Sequence, residues 1–348
     1  MRQTLSARFV AAAGIAAWVI FAYAFASSAG KDGPAEITAA MKALYNRPDS
    51  IPYPKDNPYS EAKANLGKTL FFETRLSRSQ VMSCATCHNP GFDWTDGNPK
   101  GVGDYHKTLP RKVPTLFNLA WDDLFFWDGR AEGLEKQGLG PMQSATEMHM
   151  SLDEAVTRLK AIHEYAPLFT SAFPGQSDPI TPENIAKAIA IFERSIISGE
   201  APFDRWIKGD ENAISAEAKH GFLLFNTKAR CADCHTGWNF SDDSFHDTGV
   251  DDADIGRGKF LPFTTMQHAF KSVGLRNIER RAPYMHNGSL ATLMDVINHY
   301  DHGFVKRESL ADDIKPLHLS EQEKQDLVEF LKTLTSRDTP VTIPEMPK

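Results

Sequence analysis

Apolar residues recur at helical spacing in several stretches of this chain, whereas alternating strand-like patterns are few. Ser151 and Ser320 each begin a capping-box pattern, in which a Glu follows three residues later, and Thr181-Pro182 is typical of a helix start. The predicted helices cover residues 62–71, 152–162, 182–197, 215–225 and 321–334. We therefore predict a mainly α protein with few or no strands.

The stretches between these helices are long. Residues 89–115 and 237–265 are rich in Gly, Pro, Asp and aromatic side chains, and loops of this length usually need a group to pack against. We expect a domain boundary near 201–210. The predicted segments are an N-terminal domain at 30–205, a C-terminal domain at 206–335 and a tail at 336–348. The last helix is a candidate for packing back on the N-terminal domain.

The N-terminus has the pattern of a secretory signal. Arg2 and Arg8 precede an apolar run at 9–26, and small residues suited to cleavage follow. We predict a signal peptide at 1–29 and a periplasmic location, with an uncleaved membrane anchor as the alternative. Net charge is −7 and no basic cluster is present, which argues against a nucleic-acid partner and is compatible with a basic electron donor.

All four cysteines lie in two Cys-X-X-Cys-His motifs. The motifs are Cys84-Ala85-Thr86-Cys87-His88 and Cys231-Ala232-Asp233-Cys234-His235. This spacing lets two thiols reach the two vinyl groups of one haem, and the adjoining His can bind its iron. Disulfides or a zinc site would not need a His directly after each pair. We predict two covalently bound haem c groups, with His88 and His235 as axial ligands.

A weak internal repeat accompanies the two motifs. Apolar triplets precede both Cys pairs, and Phe92 and Phe240 follow the two histidines at similar distances. The triplets are Leu70-Phe71-Phe72 and Leu223-Leu224-Phe225. The repeat indicates two related haem-binding units.

An ordered set of further motifs surrounds the Cys pairs. It comprises Leu70-Phe71-Phe72 to Ser77, Val113-Pro114-Thr115-Leu116, Phe126-Trp127-Asp128-Gly129-Arg130, Gln137, Glu147-Met148, Ser272 to Asn277 and Pro283-Tyr284-Met285-His286-Asn287-Gly288. Over residues 60–335 this set resembles the bacterial dihaem cytochrome c peroxidases and the MauG-type enzymes of methylamine utilisation. The resemblance implies two cytochrome c-like haem domains, the first peroxidatic and the second for electron transfer.

The resemblance also implies roles for four residues of the first half. His88 matches the proximal ligand of the haem that binds peroxide, Glu147 the distal acid and base, and Gln137 the distal amide. Trp127 matches a tryptophan between the two haems. Without the resemblance, Glu147 and Gln137 would be read as surface groups and Trp127 as a core aromatic.

The second haem's other axial ligand is the most diagnostic position. The peroxidases of the family have Met fourteen residues after the His that matches His286, and MauG-type enzymes have Tyr; this chain has Tyr300. From the residues alone, His299 is the better generic ligand. A phenolate stabilises ferric and higher iron states, which suits storage of an oxidising equivalent.

The chain departs from the family at the calcium site. Where the family holds calcium between the haems through Asn, Thr and a Pro carbonyl, this chain has Lys112, Arg281 and Pro283. Two cations there would repel calcium. We therefore regard bound calcium as doubtful and hypothesise that the two charges replace it.

Three further positions leave alternatives open. Ala229 stands where MauG carries a Trp that takes electrons from its protein substrate, so Trp206 or Trp238 would have to serve another route. His106 lies where peroxidases of the family have a switchable haem ligand, although its spacing is two residues off. His246 matches a segment near the second haem and is expected to be a neighbour of the site rather than a ligand.

The main hypothesis is a periplasmic dihaem peroxidase that reduces hydrogen peroxide at the His88 haem. Oxidising equivalents would pass through Trp127 to the haem of His235 and Tyr300, and electrons would come from a small cytochrome c or cupredoxin. A MauG-type oxidase that modifies a partner protein is the alternative. Rival hypotheses from other classes are a plain electron-transfer cytochrome, which would not need Glu147, and a haem-based sensor. Membrane contact is expected only through an N-terminal anchor.

Overall fold

The computed structural model describes residues 36–337 and 340–348, so the predicted signal peptide at 1–29 lies outside the described residues. The described α-helices are α1 Ala39–Ala43, α2 Glu61–Phe71, α3 Cys84–Cys87, α4 Leu134–Gln143, α5 Leu152–Lys160, α6 Tyr165–Ala172, α7 Pro182–Arg194, α8 Pro202–Ile207, α9 Ala216–Asn226, α10 Leu293–Asn298 and α11 Glu321–Lys332. The strands are β1 Leu124–Phe125, β2 Ala131–Glu132, β3 Phe245–His246 and β4 Phe270–Lys271. None of the described helices is long and apolar enough to cross a membrane.

The prediction of a mainly α protein is confirmed. All five predicted helices form, and their ends follow the capping signals: the side chains of Ser151, Thr181 and Ser320 each accept a hydrogen bond from a backbone N–H three residues later. The strands form two antiparallel ribbons of two residues each, β1 with β2 and β3 with β4. Several short 3₁₀ turns occupy the long loops, which otherwise follow no regular pattern.

Two helix crossings organise the described residues, one before each Cys pair. α2 crosses α7 at Gly67, where an added Cβ would lie 1.9 Å from the Ala188 carbonyl oxygen. α9 crosses α11 at Gly221, where a Cβ would lie 1.9 Å from the Asp326 carbonyl oxygen. Only a residue without a side chain permits so close an approach of two helix backbones. The same contact is therefore built twice.

The aromatic residues around the first crossing form a compact cluster. Four residues after Gly67, Phe71 packs against Phe192 at 5.2 Å and 61° between the rings. Trp94 lies 5.8 Å from Phe71 and 6.0 Å from Phe192, also edge to face.

The second crossing repeats this cluster. Phe225 packs against Phe330 at 5.1 Å and 64°, and Phe240 lies 6.0 Å from Phe225 and 6.1 Å from Phe330. The structural counterpart of Phe240 is therefore Trp94, and not Phe92, which is 56% exposed. The predicted internal repeat is present, with this one partner exchanged.

Two core clusters surround the two crossings. The first contains α2, α5, α6 and α7, and the second contains α9, α10 and α11. Tyr45, which precedes the first haem motif, belongs to the second cluster. The last helix, α11, packs on α9, and the ring of its Phe330 lies 5.7 Å from that of Phe203, within the predicted N-terminal domain. The tail returns to the first cluster, with Val341 packed against it and the Pro347 carbonyl accepting from Arg75. Residues 36–348 form one compact unit, so the predicted domain boundary stays a prediction.

The crossing at Gly221 gives a test of the fold. Gly221→Ala places a methyl group against backbone that cannot move aside, and we expect the haem-loaded protein to lose about 3 kcal/mol of unfolding free energy in denaturant titrations. The control variant Ala216→Gly removes a methyl group at an exposed position of the same helix. It should lower the free energy of unfolding by at most about 1 kcal/mol. Equal losses in the two variants would show that the crossing tolerates a side chain.

Candidate haem sites and peroxide pocket

Both proximal histidines are held by the backbone in the same way. His88 follows α3 and its Nδ1 donates to the Trp94 carbonyl at 3.1 Å; His235 Nδ1 donates to the Phe240 carbonyl at 2.9 Å. Trp94 and Phe240 both have positive φ, 61° and 56°, which turns the chain back at these residues. Burial lowers the pKa of both imidazoles and so favours the neutral form that binds metals. In each ring Nε2 is left to bind iron.

A cavity of about 480 Å³ opens beside the first Cys pair. Its lining includes Cys84, Cys87 and His88 together with three residues that the sequence predicted at the site: Trp127, Gln137 and Glu147. Its volume is in the range of cofactor pockets and most of its lining is apolar. The structure thus brings together four residues that are distant along the chain. His106, His235 and Tyr300 do not line this cavity.

Two buried arginines on the cavity wall each have one unpaired N–H group, which fits a haem carboxylate. Arg276 Nη2 and Arg281 Nε are buried and have no hydrogen-bond partner among the described residues. Leaving such charged donors unpaired in a dry interior is costly, and the two carboxylates of a haem would satisfy them. The four cysteines are also unpaired, as thioether bonds to haem require. The residues present therefore fit a c-type haem at this site.

Glu147 lies on a loop after α4 that is fixed by a close backbone approach. The Asp104 N–H donates to the Glu147 carbonyl at 2.7 Å, and a Cβ at Gly103 would lie 1.9 Å from the Thr146 carbonyl oxygen. Burial raises the pKa of the Glu147 carboxyl, against the opposing effects of Arg130 and Ser144. Glu147 is thus a half-buried carboxyl that holds a proton more readily than an exposed one.

Trp127 is fixed to both halves of the chain. Its Nε1 donates to the Lys112 carbonyl at 2.8 Å, and its own carbonyl accepts from the Lys271 N–H at 2.8 Å. Its ring lies 6.4 Å from that of His286, edge to face. This anchoring suits a residue that connects two sites.

The two cations at the expected calcium position are buried. Lys112 Nζ donates to the Asn98 carbonyl at 3.3 Å, and Arg281 Nη2 donates to the Gly274 carbonyl at 2.6 Å. Burial lowers the pKa of both groups, that of Arg281 to about 10, and the charge of Arg281 further lowers the pKa of Lys112. Both side chains line the cavity. A divalent cation would meet two positive charges there.

Tyr300 lies in a π-helical turn, His299–Gly303, that continues α10. Such turns are frequent at functional sites because they redirect side chains. The Nε2 of His299 donates to the Thr248 carbonyl at 2.8 Å, so this imidazole is already engaged. Burial raises the pKa of the Tyr300 phenol, and nearby Cys234 and Cys231 add to the effect. The role of Tyr300 as ligand of the second haem stays a prediction.

His246 lies beside the second Cys pair. Its Nε2 is 2.7 Å from an Asp242 oxygen, and potential ligand atoms of Cys234, Asp242 and His246 all lie within 4.8 Å of one another. Hydrogen bonding to Asp242 and to the Cys234 sulfur raises the pKa of His246 to about 10. Once Cys234 forms a thioether it is a poor metal ligand, so the group is better understood as an ion pair next to the haem.

The other candidates are more remote. His106 is exposed in the 3₁₀ turn Asp104–His106, so a switch role would require this loop to move. Ala229 is buried, and Trp206 is buried with its Nε1 bonded to Glu211. Trp238 is half-buried.

Sequence reasoning missed Glu193 on α7. This carboxyl lines the cavity and is buried, and burial raises its pKa to about 8. A Glu on the apolar face of a helix was the available signal.

These features define a class, the c-type dihaem peroxidases and oxidases, and comparisons with known proteins agree. A family model described as di-haem cytochrome c peroxidase matches residues 61–212. The chain is 50% identical over 325 residues to the methylamine utilization protein MauG of Methylorubrum extorquens, covering 92% of each chain. It is 33% identical over 309 residues to the cytochrome c551 peroxidase of Pseudomonas aeruginosa, covering 86% of each.

A solved structure agrees as well. The crystal structure of a MauG-like protein associated with microbial copper homeostasis aligns with a TM-score of 0.78 and 32% identity, over 84% of this chain and 95% of that one. This chain belongs to the dihaem cytochrome c peroxidase and MauG family. The predicted family, fold class and enzyme class are thereby confirmed, and membership implies two haem groups.

The loop beside Tyr300 is held by a buried ion pair. Asp247 accepts two hydrogen bonds from Arg307, both at 2.6 Å, and one from Ser309 at 2.7 Å. Burial alone would raise the pKa of Asp247, but these bonds outweigh it and lower the pKa. Asp247 precedes Thr248, whose carbonyl holds His299. The pair therefore positions the backbone around the second site.

Asp247→Asn should remove about 3 kcal/mol of stability at neutral pH, because it leaves Arg307 without its charge partner. Since the folded-state pKa is lowered, the wild-type advantage is complete above about pH 4 and is lost as pH falls through the folded value. Asp313→Asn, in an exposed pair with Arg230, should cost less than about 1 kcal/mol. Denaturant titrations at several pH values measure both, and equal costs at pH 7 would refute this role.

Proposed function

We propose that this protein is a periplasmic dihaem peroxidase that reduces hydrogen peroxide at the His88 haem, exported by the signal at 1–29. The observation that carries the proposal is the single cavity lined by His88, Gln137, Glu147 and Trp127. It combines a metal-binding imidazole, a carboxyl with a raised pKa and an amide in a mostly apolar space. An electron carrier would need the imidazole of His88 but neither the carboxyl of Glu147 nor the amide of Gln137 beside it.

Haem, when bound, supplies the iron that takes up peroxide and accepts its oxidising equivalents. The protein side chains supply the proton transfer. The carboxylate form of Glu147 can take the proton of the incoming peroxide, and because burial raises the pKa of this group it can hold that proton and deliver it to the departing oxygen. The Gln137 amide can donate a hydrogen bond that orients the peroxide oxygens. Apolar neighbours limit the access of bulk water.

Trp127 connects this pocket to the second haem in the proposal. The bond from its Nε1 to the Lys112 carbonyl and the bond to its carbonyl from the Lys271 N–H restrict the ring, so the indole can mediate electron transfer without rearrangement. His235 and Tyr300 are proposed to ligate the second haem. Covalent attachment is proposed at Cys84, Cys87, Cys231 and Cys234.

The electron donor separates two versions of the proposal. A small cytochrome c or cupredoxin would make the protein a peroxide scavenger. A protein substrate would make it a MauG-type oxidase, which the 50% identity to MauG and the presence of Tyr300 both favour. Ala229, in place of the Trp of MauG, argues against the same route of electron entry.

Rapid-mixing absorption spectroscopy of the fully ferric protein with equimolar hydrogen peroxide tests the proposal. We expect spectral changes at both haems without prior reduction. A response only after one-electron reduction would instead indicate an activation switch and support a ligand role for His106. No response in either redox state would contradict peroxidase activity and favour electron transfer alone.

Glu147→Gln should slow this reaction by about 10²–10⁴-fold, because the amide cannot move the proton. The resting spectrum should be unchanged, since the variant keeps the cavity's shape. Glu132→Gln, at a side chain that is 79% exposed, is the matched control and should react like wild type. An undiminished rate in Glu147→Gln would assign the proton transfer to another group.

We further propose that Lys112 and Arg281 replace the calcium ion of the family. After chelator treatment the protein should hold far less than one calcium ion per chain by elemental analysis, and added calcium should not shift its unfolding temperature. The Lys112→Asn/Arg281→Thr variant restores the residue types of the family and should gain a calcium-dependent shift. A tightly held ion in the wild-type protein would refute this proposal.

A further inference from the structure

Two tryptophans meet near the second Cys pair in an arrangement that the peroxidase chemistry above does not use. The rings of Trp121 and Trp238 lie 4.6 Å apart between centroids and 70° apart in plane, in edge-to-face contact. Both side chains are half-buried. Trp121 ends the 3₁₀ turn Leu119–Trp121 of the first half, and Trp238 follows His235 by three residues.

The Trp238 end of this pair is built into the support of His235. Trp238 lies on the short loop between His235 and Phe240, and the Phe240 carbonyl accepts the His235 Nδ1 hydrogen bond. The same loop is held to the first half by Asn118 Nδ2, which donates to Asn239 Oδ1 at 2.9 Å. The pair therefore leads from the backbone around a haem ligand to the protein surface.

The indole N–H groups of the pair differ from those of Trp127 and Trp206 in their hydrogen bonding. Trp127 donates to Lys112 and Trp206 to Glu211, whereas Trp121 and Trp238 have no hydrogen-bond partner among the described residues. Neither nitrogen is among the buried unpaired atoms, so both reach solvent. An indole that loses an electron can therefore release its N–H proton to water.

Charges distinguish the two rings. The Arg47 guanidinium lies 5.4 Å from the Trp238 ring centroid, and Arg276 Nε donates to the Trp238 carbonyl at 2.8 Å. Asp204 is shared by both arginines, at 3.4 Å from Arg47 and 2.7 Å from Arg276. The Arg47 guanidinium over the ring face opposes the loss of an electron from Trp238. An oxidising equivalent is therefore more stable on Trp121.

We propose that Trp121 and Trp238 form the route by which electrons enter from an external one-electron donor, with Trp121 as the entry residue. This inference rests on the proposed peroxidase function, which supplies the oxidant. Each hydrogen peroxide takes up two electrons and two protons, its O–O bond breaks and two waters form. Two donor molecules each lose one electron. Each indole is oxidised with release of its N–H proton. It then regains an electron from the donor and a proton from water.

Ferrocyanide is a suitable donor for the test because each ion gives up one electron and its oxidation to ferricyanide is followed by absorption. Wild type, Trp121→Phe, Trp238→Phe and the double variant are compared in haem-loaded form, with Trp206→Phe as the matched control for loss of an indole elsewhere. Haem content and circular dichroism establish that each variant is folded. Two rates are measured separately: the absorption change with equimolar peroxide alone, and the peroxide-dependent formation of ferricyanide.

We expect the peroxide step to be unchanged in Trp121→Phe and in Trp206→Phe, and ferricyanide formation to fall about tenfold or more in Trp121→Phe and in the double variant. Trp206→Phe should resemble wild type. Trp121→Tyr, which keeps an oxidisable ring, should restore part of the rate. Electron paramagnetic resonance of peroxide-treated protein carrying ring-deuterated tryptophan should show an indole radical that is absent from Trp121→Phe.

The failure of this inference is distinguishable from failure of the proposed function. Wild-type ferricyanide formation in the double variant, with a normal peroxide step, would overturn the tryptophan route and leave the peroxidase intact. Equal losses in Trp206→Phe and Trp121→Phe would also overturn it, because a general effect of indole removal would then explain the result. A wild-type protein that does not respond to peroxide would overturn both proposals together.

Discussion

The close approach of helix backbones at Gly67 and again at Gly221 is the constraint on which the rest of the site depends. Each crossing sets a Phe of the first helix against a Phe of the second, and a third aromatic residue packs on both. That third residue, Trp94 or Phe240, has positive φ, and its carbonyl accepts a hydrogen bond from the proximal histidine of the same haem unit, His88 or His235. A helix contact without room for a methyl group is thus linked, through one aromatic residue, to the orientation of each proximal imidazole.

The space between the two units has an unusual balance of charge. Lys112, Arg276 and Arg281 are buried cations around a mostly apolar cavity, while Glu147 and Glu193 are carboxyls whose pKa is raised by burial. This balance favours an anionic cofactor and neutral acids, since a carboxylate satisfies the free N–H groups of Arg276 and Arg281 and burial stabilises each acid with its proton. In the proposal above, the charges of Lys112 and Arg281 replace the calcium ion of the family.

Much of the site followed from short-range signals in the sequence. The two Cys-X-X-Cys-His motifs, the helix caps and the ordered motifs near Trp127, Gln137 and Glu147 depend on local spacing, and the structure gathers those three residues into one cavity. Other features had no local signal. Glu193 reads as a polar interruption of α7, Arg276 as one residue of a loop motif, and Trp121 and Trp238 as unrelated aromatic residues 117 positions apart in the chain. The repeat was visible in the sequence, but the residue of the first unit that corresponds to Phe240 is Trp94. Packing against the helix crossing, and not distance from the histidine, decides this correspondence.

The sequence by itself determined the helices, the number of Cys pairs, the chemistry that those pairs can support and the family. These depend on residue type at fixed separations along one chain. Only the tertiary structure decided which cations lost their solvent, which carboxyls had their pKa raised, and which indoles came into contact. Those properties arise from burial and from contacts between segments that are distant in the chain. Glycine permits such close contacts because it has no side chain, but the sequence does not show which segment it contacts.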